Sequence, residues 1–268
     1  MQLARRVALN NAQLDAVNSH IAIQSVETAD GRENITAVGT AAGFGQRITG
    51  ARRDTVDVIV RFGIDIRKTS LAERSAALEA VNAWAMKAAD GAWMTVNYRT
   101  ARRIRVRLVQ APGEGNLWDW TKTFQITFRA YGVPYWEDAS ENTKQIGTSA
   151  GDNDTINPGG SVPAQVNITM ENTSGSTVNT ATVNTGDTSM SFTSLGLANG
   201  EKLVIDHDDT GLVRIRIQAS GGLYRSAMAK RTTASDDDLT VIPGGSRVIS
   251  YTAGGACTVT AGWRARYL

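Results

Sequence analysis

The feature that most limits what this chain can fold into is a hydrophobic period of two that returns in segment after segment. In VDVIVRFGIDI, residues Val56, Val58, Val60, Phe62, Ile64 and Ile66 share one side, with Asp57, Arg61, Gly63 and Asp65 on the other. Successive side chains of a strand point to opposite faces, so this pattern buries one face of a sheet and leaves the other to water. The pattern returns where Ile104, Val106 and Leu108 alternate with Arg103, Arg105 and Arg107. It returns again at Phe124, Ile126, Phe128 and Ala130. Trp93–Arg99 and Arg102–Val109 lie close enough in sequence to pair across a short turn. Ile21–Thr28 reads as a strand, and Gly39–Arg53 as a long glycine-containing loop.

One segment changes period. Ser70 and Glu73 form a capping box, in which each side chain satisfies a main-chain amide at a helix start. Leu71, Leu78, Val81, Trp84, Ala85 and Ala88 then recur at helical spacing, and Asp90-Gly91 supplies the stop. The spacing predicts one clear helix.

Composition divides the chain near residue 139. Residues 1–138 hold 15 Ser and Thr, five of the six tryptophans, and 18 basic against 14 acidic residues. Residues 139–268 hold 31 Ser and Thr, one tryptophan, and 10 basic against 12 acidic residues. Between the halves, ENTKQIGTSAGDNDTINPGGS lacks periodicity and contains Pro-Gly-Gly. The expected organisation is a 1–138 α+β domain, a 139–160 linker, and a 161–268 all-β domain. In the last, short alternating stretches at 164–170, 177–183, 188–194, 202–206, 212–218, 239–242, 246–252 and 256–267 suggest a sandwich or a small barrel. The final stretch sets Cys257, Val259, Ala261, Trp263, Ala265 and Tyr267 against Thr258, Thr260, Arg264 and Arg266. The fold class is mainly β.

Several function classes fall away. At 41% hydrophobic and 20% charged residues, the chain carries enough apolar material for a core. No apolar run approaches the ~18–20 residues of a membrane-spanning helix, so membrane insertion is not expected. The first residues lack a signal-peptide apolar block, which predicts synthesis in the cytosol without export. A single cysteine excludes a disulfide framework, and a net charge of +2 argues against nonspecific nucleic-acid binding.

The search for chemistry yields no catalytic, cofactor or metal residue, and no enzyme is expected. Two histidines, His20 and His207, leave little material for a metal site or a triad. Asp206-His207-Asp208-Asp209 reads as a solvated hairpin turn, Asp152-x-Asp154 as linker, and Asp236-Asp237-Asp238 as a surface turn. Gly39, Gly43 and Gly45 lack the Gly-Lys-Ser/Thr of a phosphate loop, and Cys257 reads as a small buried hydrophobe. Two features invite a partner. Arg103, Arg105 and Arg107 on one strand face can meet nucleic acid, a sugar or another subunit, or stand solvated beside cross-strand acids. Trp118 and Trp120 can stack on sugars, anchor a partner, or cover their own core.

The order of VDVIVRFGIDI, LAERSAALEAVNAWAMKAADG, WMTVNYRTARRIRVRLV and KTFQITFRAYGVPYWED resembles the N-terminal domain of the distal tail proteins (Dit) of long-tailed bacteriophages. ANGEKLVID followed by LTVIPGGSRVISYTAGGACTVTAGWRARY is similar to their C-terminal β-domain. The resemblance runs from about residue 18 to the end. It implies a virion protein at the tail tip, assembled in the host cytoplasm. Six copies would form a ring joining the tail tube protein to the tail hub, carrying a receptor-binding protein and letting DNA slide through without specific binding. The implied outer domain is galectin-like or barrel-like. Under this reading the candidate subunit or partner contacts are Phe44, Arg47, Arg52 and Arg53 in loop 39–53, the strand residues Arg103, Arg105 and Arg107, and Trp118 and Trp120. The alternative is a carbohydrate-binding module recognising host-surface glycans, for which Tyr224, Tyr251, Trp263 and Tyr267 are the available aromatics. A cell-wall hydrolase would need an acid pair or a metal.

Overall fold

A computed structural model describes residues 6–28, 33–39, 46–53, 55–65, 69–99, 101–113, 123–131, 134–208 and 211–268, with backbone alone at 33–39 and 46–53. The chain divides into two compact units, Met1–Trp136 and Glu137–Leu268.

The first unit contains β1 (Val7–Leu9), β2 (Ala12–Gln13), β3 (Ile21–Thr28), β4 (Glu33–Gly39), β5 (Gln46–Arg53), β6 (Asp57–Ile64), α1 (Leu71–Ala85), β7 (Ala92–Val96), β8 (Arg102–Gln110) and β9 (Phe124–Ala130). Among the described residues, seven strands of this unit follow one another in an antiparallel sheet in the order β2-β1-β7-β8-β9-β6-β3. The alternation read from the sequence is realised. Val58, Val60, Phe62, Ile104, Val106, Ile126 and Phe128 are wholly buried on one face. Ala77, Leu78, Val81, Trp84 and Ala85 of α1 join that core. The Trp84 ring stands edge-on to Phe128 at 5.9 Å, and its Nε1 donates to the Ala12 carbonyl at 2.7 Å.

The capping box forms in full: Ser70 Oγ accepts from the Glu73 amide, and the Glu73 carboxylate accepts from the Ser70 amide. Those Ser70 hydrogen bonds hold the Glu73 carboxyl below the usual range. Leu71, expected in the apolar stripe, is exposed because it opens the helix before its first turn reaches the core. Two expectations are corrected here. The β1–β2 hairpin, absent from the sequence reading, turns on Asn10 and Asn11, both at positive φ (47° and 68°) as a two-residue hairpin loop of this type requires. The segment expected as loop 39–53 is strand for most of its length: β5 pairs antiparallel with β4, Glu33 opposite Arg53 and Gly39 opposite Gln46. Main-chain pairing makes this ribbon, and its glycines do not forbid it.

Strand β10 (Trp136–Asp138) carries the chain into the second unit. There follow β11 (Asn142–Gly147), β12 (Asn153–Ile156), β13 (Ala164–Asn172), β14 (Ala181–Asn184), β15 (Ser189–Phe192), β16 (Lys202–His207), β17 (Val213–Gln218), β18 (Tyr224–Ser226), β19 (Thr240–Val241), β20 (Arg247–Ala253), β21 (Cys257–Trp263) and β22 (Arg266–Tyr267). One sheet runs β11-β21-β13-β16-β17-β18, with β19 also on β13; the other runs β12-β20-β14-β15. Val166, Ile168, Met170, Ile205, Ile215, Val259 and Ala261 from the first share a core with Ile156, Val183, Met190, Phe192, Ile249 and Tyr251 from the second. This is a sandwich. The expected 139–160 linker is not one. Strand β11 pairs with β21 and β12 with β20, and each inserts one isoleucine, Ile146 and Ile156, into the core.

Candidate partner-contact face

Helix α1 covers the apolar face of the first sheet, so the alternation in β8 puts Arg103, Arg105 and Arg107 on the opposite face. Two aromatics flank them: Trp93 on β7, in register with Arg105, and Tyr131 just after β9. The Arg103 guanidinium carbon sits 3.8 Å from the Trp93 ring centroid. That of Arg105 lies 5.5 Å from Trp93 and 5.7 Å from Tyr131, and that of Arg107 5.0 Å from Tyr131. Each such contact is worth about 0.5–1 kcal/mol at an exposed site. These contacts tie the three guanidinium groups to two aromatic rings, a pairing that planar guanidinium favours.

Tyr131 is itself tied down. Its Oη accepts from Arg105 Nε at 2.8 Å and points to the Asp90 carbonyl at 3.4 Å. Gly91 passes beneath at φ +111°, and a Cβ there would lie 1.8 Å from that hydroxyl. The glycine that ends the helical segment therefore also makes room for the aromatic that orders the arginines. Cross-strand acids were one expectation for this face, and they occur further along it. Arg129 forms a two-pronged pair with Asp57 at 2.7 and 3.1 Å, opposite it in register, and Arg61 pairs with Glu27.

The other predicted contacts fall elsewhere. Arg47, Arg52 and Arg53 lie on β5, opposite Val38, Asn34 and Glu33. Phe44, Trp118 and Trp120 lie outside the described residues.

In the second unit, the solvated reading of Asp206–Asp209 is corrected at His207. Its side chain is only 8% exposed, with Nδ1 2.9 Å from Asn167 Oδ1 and Nε2 2.5 Å from Asp238 Oδ1. Asp238, read as part of a surface turn, is thus a structural partner. Burial pushes its carboxyl up, but His207, with help from Gln165 and the Leu239 amide, brings it below the ordinary value. Asp152 accepts from the Thr148 and Ser149 amides and Asp154 pairs with Lys144, so both acids serve strand ends. Among the described residues, no three His, Cys, Asp or Glu side chains are grouped to hold a metal. Cys257 is buried, which pushes its thiol up. Of the aromatics a glycan site would use, Tyr251 and Trp263 are in the core and Tyr267 is half-buried. Tyr224 is 51% exposed, with Arg216 4.4 Å over its ring.

No family model matches the sequence, and no curated protein matches it. In structure the chain is similar to the Dit protein of SPP1, described as a paradigm of the hub adsorption apparatus in phages infecting Gram-positive bacteria. The TM-score is 0.70 at 12% identity, over 99% of this chain and 100% of that one. It is also similar to a chain of the phage p2 baseplate in its activated conformation, with calcium (TM-score 0.50, 8% identity, 98% of each chain) and with strontium (0.50, 9%, 97% of each). At these identities the likeness is one of fold, and it spans both units.

Proposed function

We propose that this chain is a structural, non-enzymatic protein of a bacteriophage tail tip. Six copies form a ring that joins the tail tube protein to the tail hub and carries a receptor-binding component. The first unit builds the ring and the second projects from it. The observation that carries this reading is the end-to-end match with the SPP1 protein, in which neither chain has a domain the other lacks. The physical character of the first unit supports it. Its sheet has one face under α1 and the other carrying arginines set against Trp93 and Tyr131, and among the described residues its order ends in β2 and β3, whose edges suit pairing with a neighbour. A net charge of +2 suits a channel through which DNA slides without being gripped.

Assembly occurs in the host cytoplasm and the finished protein resides in the virion. Ring contacts of this kind bury more than about 1,000 Å² each. Light scattering across a concentration series, alone and with the neighbouring tail proteins, tests the proposal: a closed hexamer is expected. Arg105→Glu places a carboxylate among the stacked arginines and should weaken assembly by at least about tenfold. A chain that stays monomeric with tube and hub proteins present overturns the reading. Unchanged assembly of the Arg105→Glu protein removes this face from the interface.

A further inference from the structure

The two sheets of the second unit end in β15 and β18, at the opposite ends of their orders from β12 and β11. The two end strands are treated differently. Against β15, the Thr193 amide donates to the Lys230 carbonyl, and the Thr232 and Asp236 amides donate to the Ser191 and Ser189 carbonyls. Segment 230–236 thus covers β15 as a further strand would. Among the described residues, β18 pairs with β17 alone. The Ala219 amide donates to the Leu223 carbonyl and the Ala227 amide to the Ile215 carbonyl, so the odd residues from 223 to 227 turn their main chain toward β17. The amide and carbonyl groups of Tyr224 and Ser226 therefore point out of the sheet edge.

Edges of this kind are ordinarily blunted by charge, proline or a cover. The one charge within β18, Arg225, is turned back onto the sandwich, where Glu201 and the Gly196 carbonyl hold it. Apolar groups border the edge instead: Leu223 is 79% exposed, Tyr224 51% and Met228 43%. We infer that the β18 edge receives an extended segment of another protein, alternating apolar and acidic residues, which adds a strand to this sheet. Main-chain groups of Tyr224 and Ser226 give the pairing, and the bordering side chains select the segment. Charge decides the occupant. Arg214 and Arg216 share the single carboxylate of Asp206, and Lys230 stands exposed with no carboxylate partner among the described residues. A second copy pairing β18 with β18 would set two such positive borders together, whereas acidic side chains on the incoming strand complement one. This inference stands independently of any role in assembly.

The test uses the full-length protein and a blocked peptide of alternating valine and glutamate, about nine residues long. Its binding should slow amide exchange at Tyr224 and Ser226 by at least about tenfold. The same peptide N-methylated at its central amides, which cannot pair, should bind at least about tenfold more weakly, as should one with lysine for glutamate. Ser226→Pro removes an amide that faces away from β17, so it spares the fold and should weaken binding to the same degree. Exchange at Tyr224 and Ser226 that stays unchanged with about 1 mM peptide overturns the inference. So does equal binding of the methylated or the lysine peptide, or full binding by Ser226→Pro. Protection of the two amides that rises with protein concentration alone would assign the edge to a second copy and overturn the acidic partner.

Discussion

Replacing Gly91 with alanine tests whether one glycine both ends the helical segment and sets the arginine face. Two costs add. A side chain at φ +111° costs about 1–3 kcal/mol in backbone strain. The new Cβ would also fall 1.8 Å from Tyr131 Oη, and making room for it costs about another 1–3 kcal/mol. Gly91→Ala should therefore destabilise the first unit by about 2–6 kcal/mol. Tyr131→Ala alone loses the Arg105 hydrogen bond and the stacking of Arg105 and Arg107, about 2–3 kcal/mol together. In the double variant the steric conflict disappears and the backbone strain remains. Its loss should fall short of the sum of the single losses by about 1–3 kcal/mol. Urea unfolding followed by tryptophan fluorescence reads this unit preferentially, because five of the six tryptophans lie in it. Additivity within about 0.5 kcal/mol would refute the coupling and leave Gly91 with a purely conformational role.

Two further tests address other parts of the chain. Tyr251 donates from the core to the Cys257 carbonyl at 2.6 Å, so Tyr251→Phe should cost the second unit about 1–2 kcal/mol, read by calorimetry. Burial, with the nearby Asp152 and Cys257, pushes that phenol up to about 12. In the unfolded chain it ionises near about 10, so the stability it contributes is whole below that pH and is lost as pH rises toward the folded value. Ultraviolet titration should show one tyrosine ionising late. In the first unit, Asn11 at φ 68° accepts glycine readily, so Asn11→Gly should be neutral or stabilise by up to about 1 kcal/mol. Asn11→Ala should destabilise by about 1 kcal/mol, and equal midpoints for the two would count against this turn.

The sequence made legible those elements whose side chains obey one period over many residues. Strands β6, β9 and β13 each bury every second residue, β8 does so at Ile104 and Val106 and β21 from Cys257 to Ala261, and α1 announced its start through Ser70 and Glu73. Strands held mainly by main-chain pairing were hidden. In β11 and β12 a single buried isoleucine, too little to set a period, anchors a polar strand against a partner far along the chain. The β1–β2 hairpin is too short for periodicity, yet Asn10-Asn11 between apolar residues was a usable turn signal. At the candidate face the arginines were visible because β8 alternates. Trp93 and Tyr131 were not, since their approach depends on register across three strands and on Gly91. His207 was misjudged because Asp238, 31 residues away, supplies the partner.

The strand order of the second unit also bears on how the chain is made. Strand β13 sits between β16 and β21, and β11, the earliest of the unit's sandwich strands to leave the ribosome, pairs only with β21, about 120 residues later. Strand β12 waits in the same way for β20. Until the segment 247–263 has emerged, β13 offers an open edge beside its row of Val166, Ile168 and Met170, and neither sheet can close. The unit must then close in one late and largely non-local step, once that segment is available. During that interval the nascent chain is most exposed to mispairing with its neighbours on the same message.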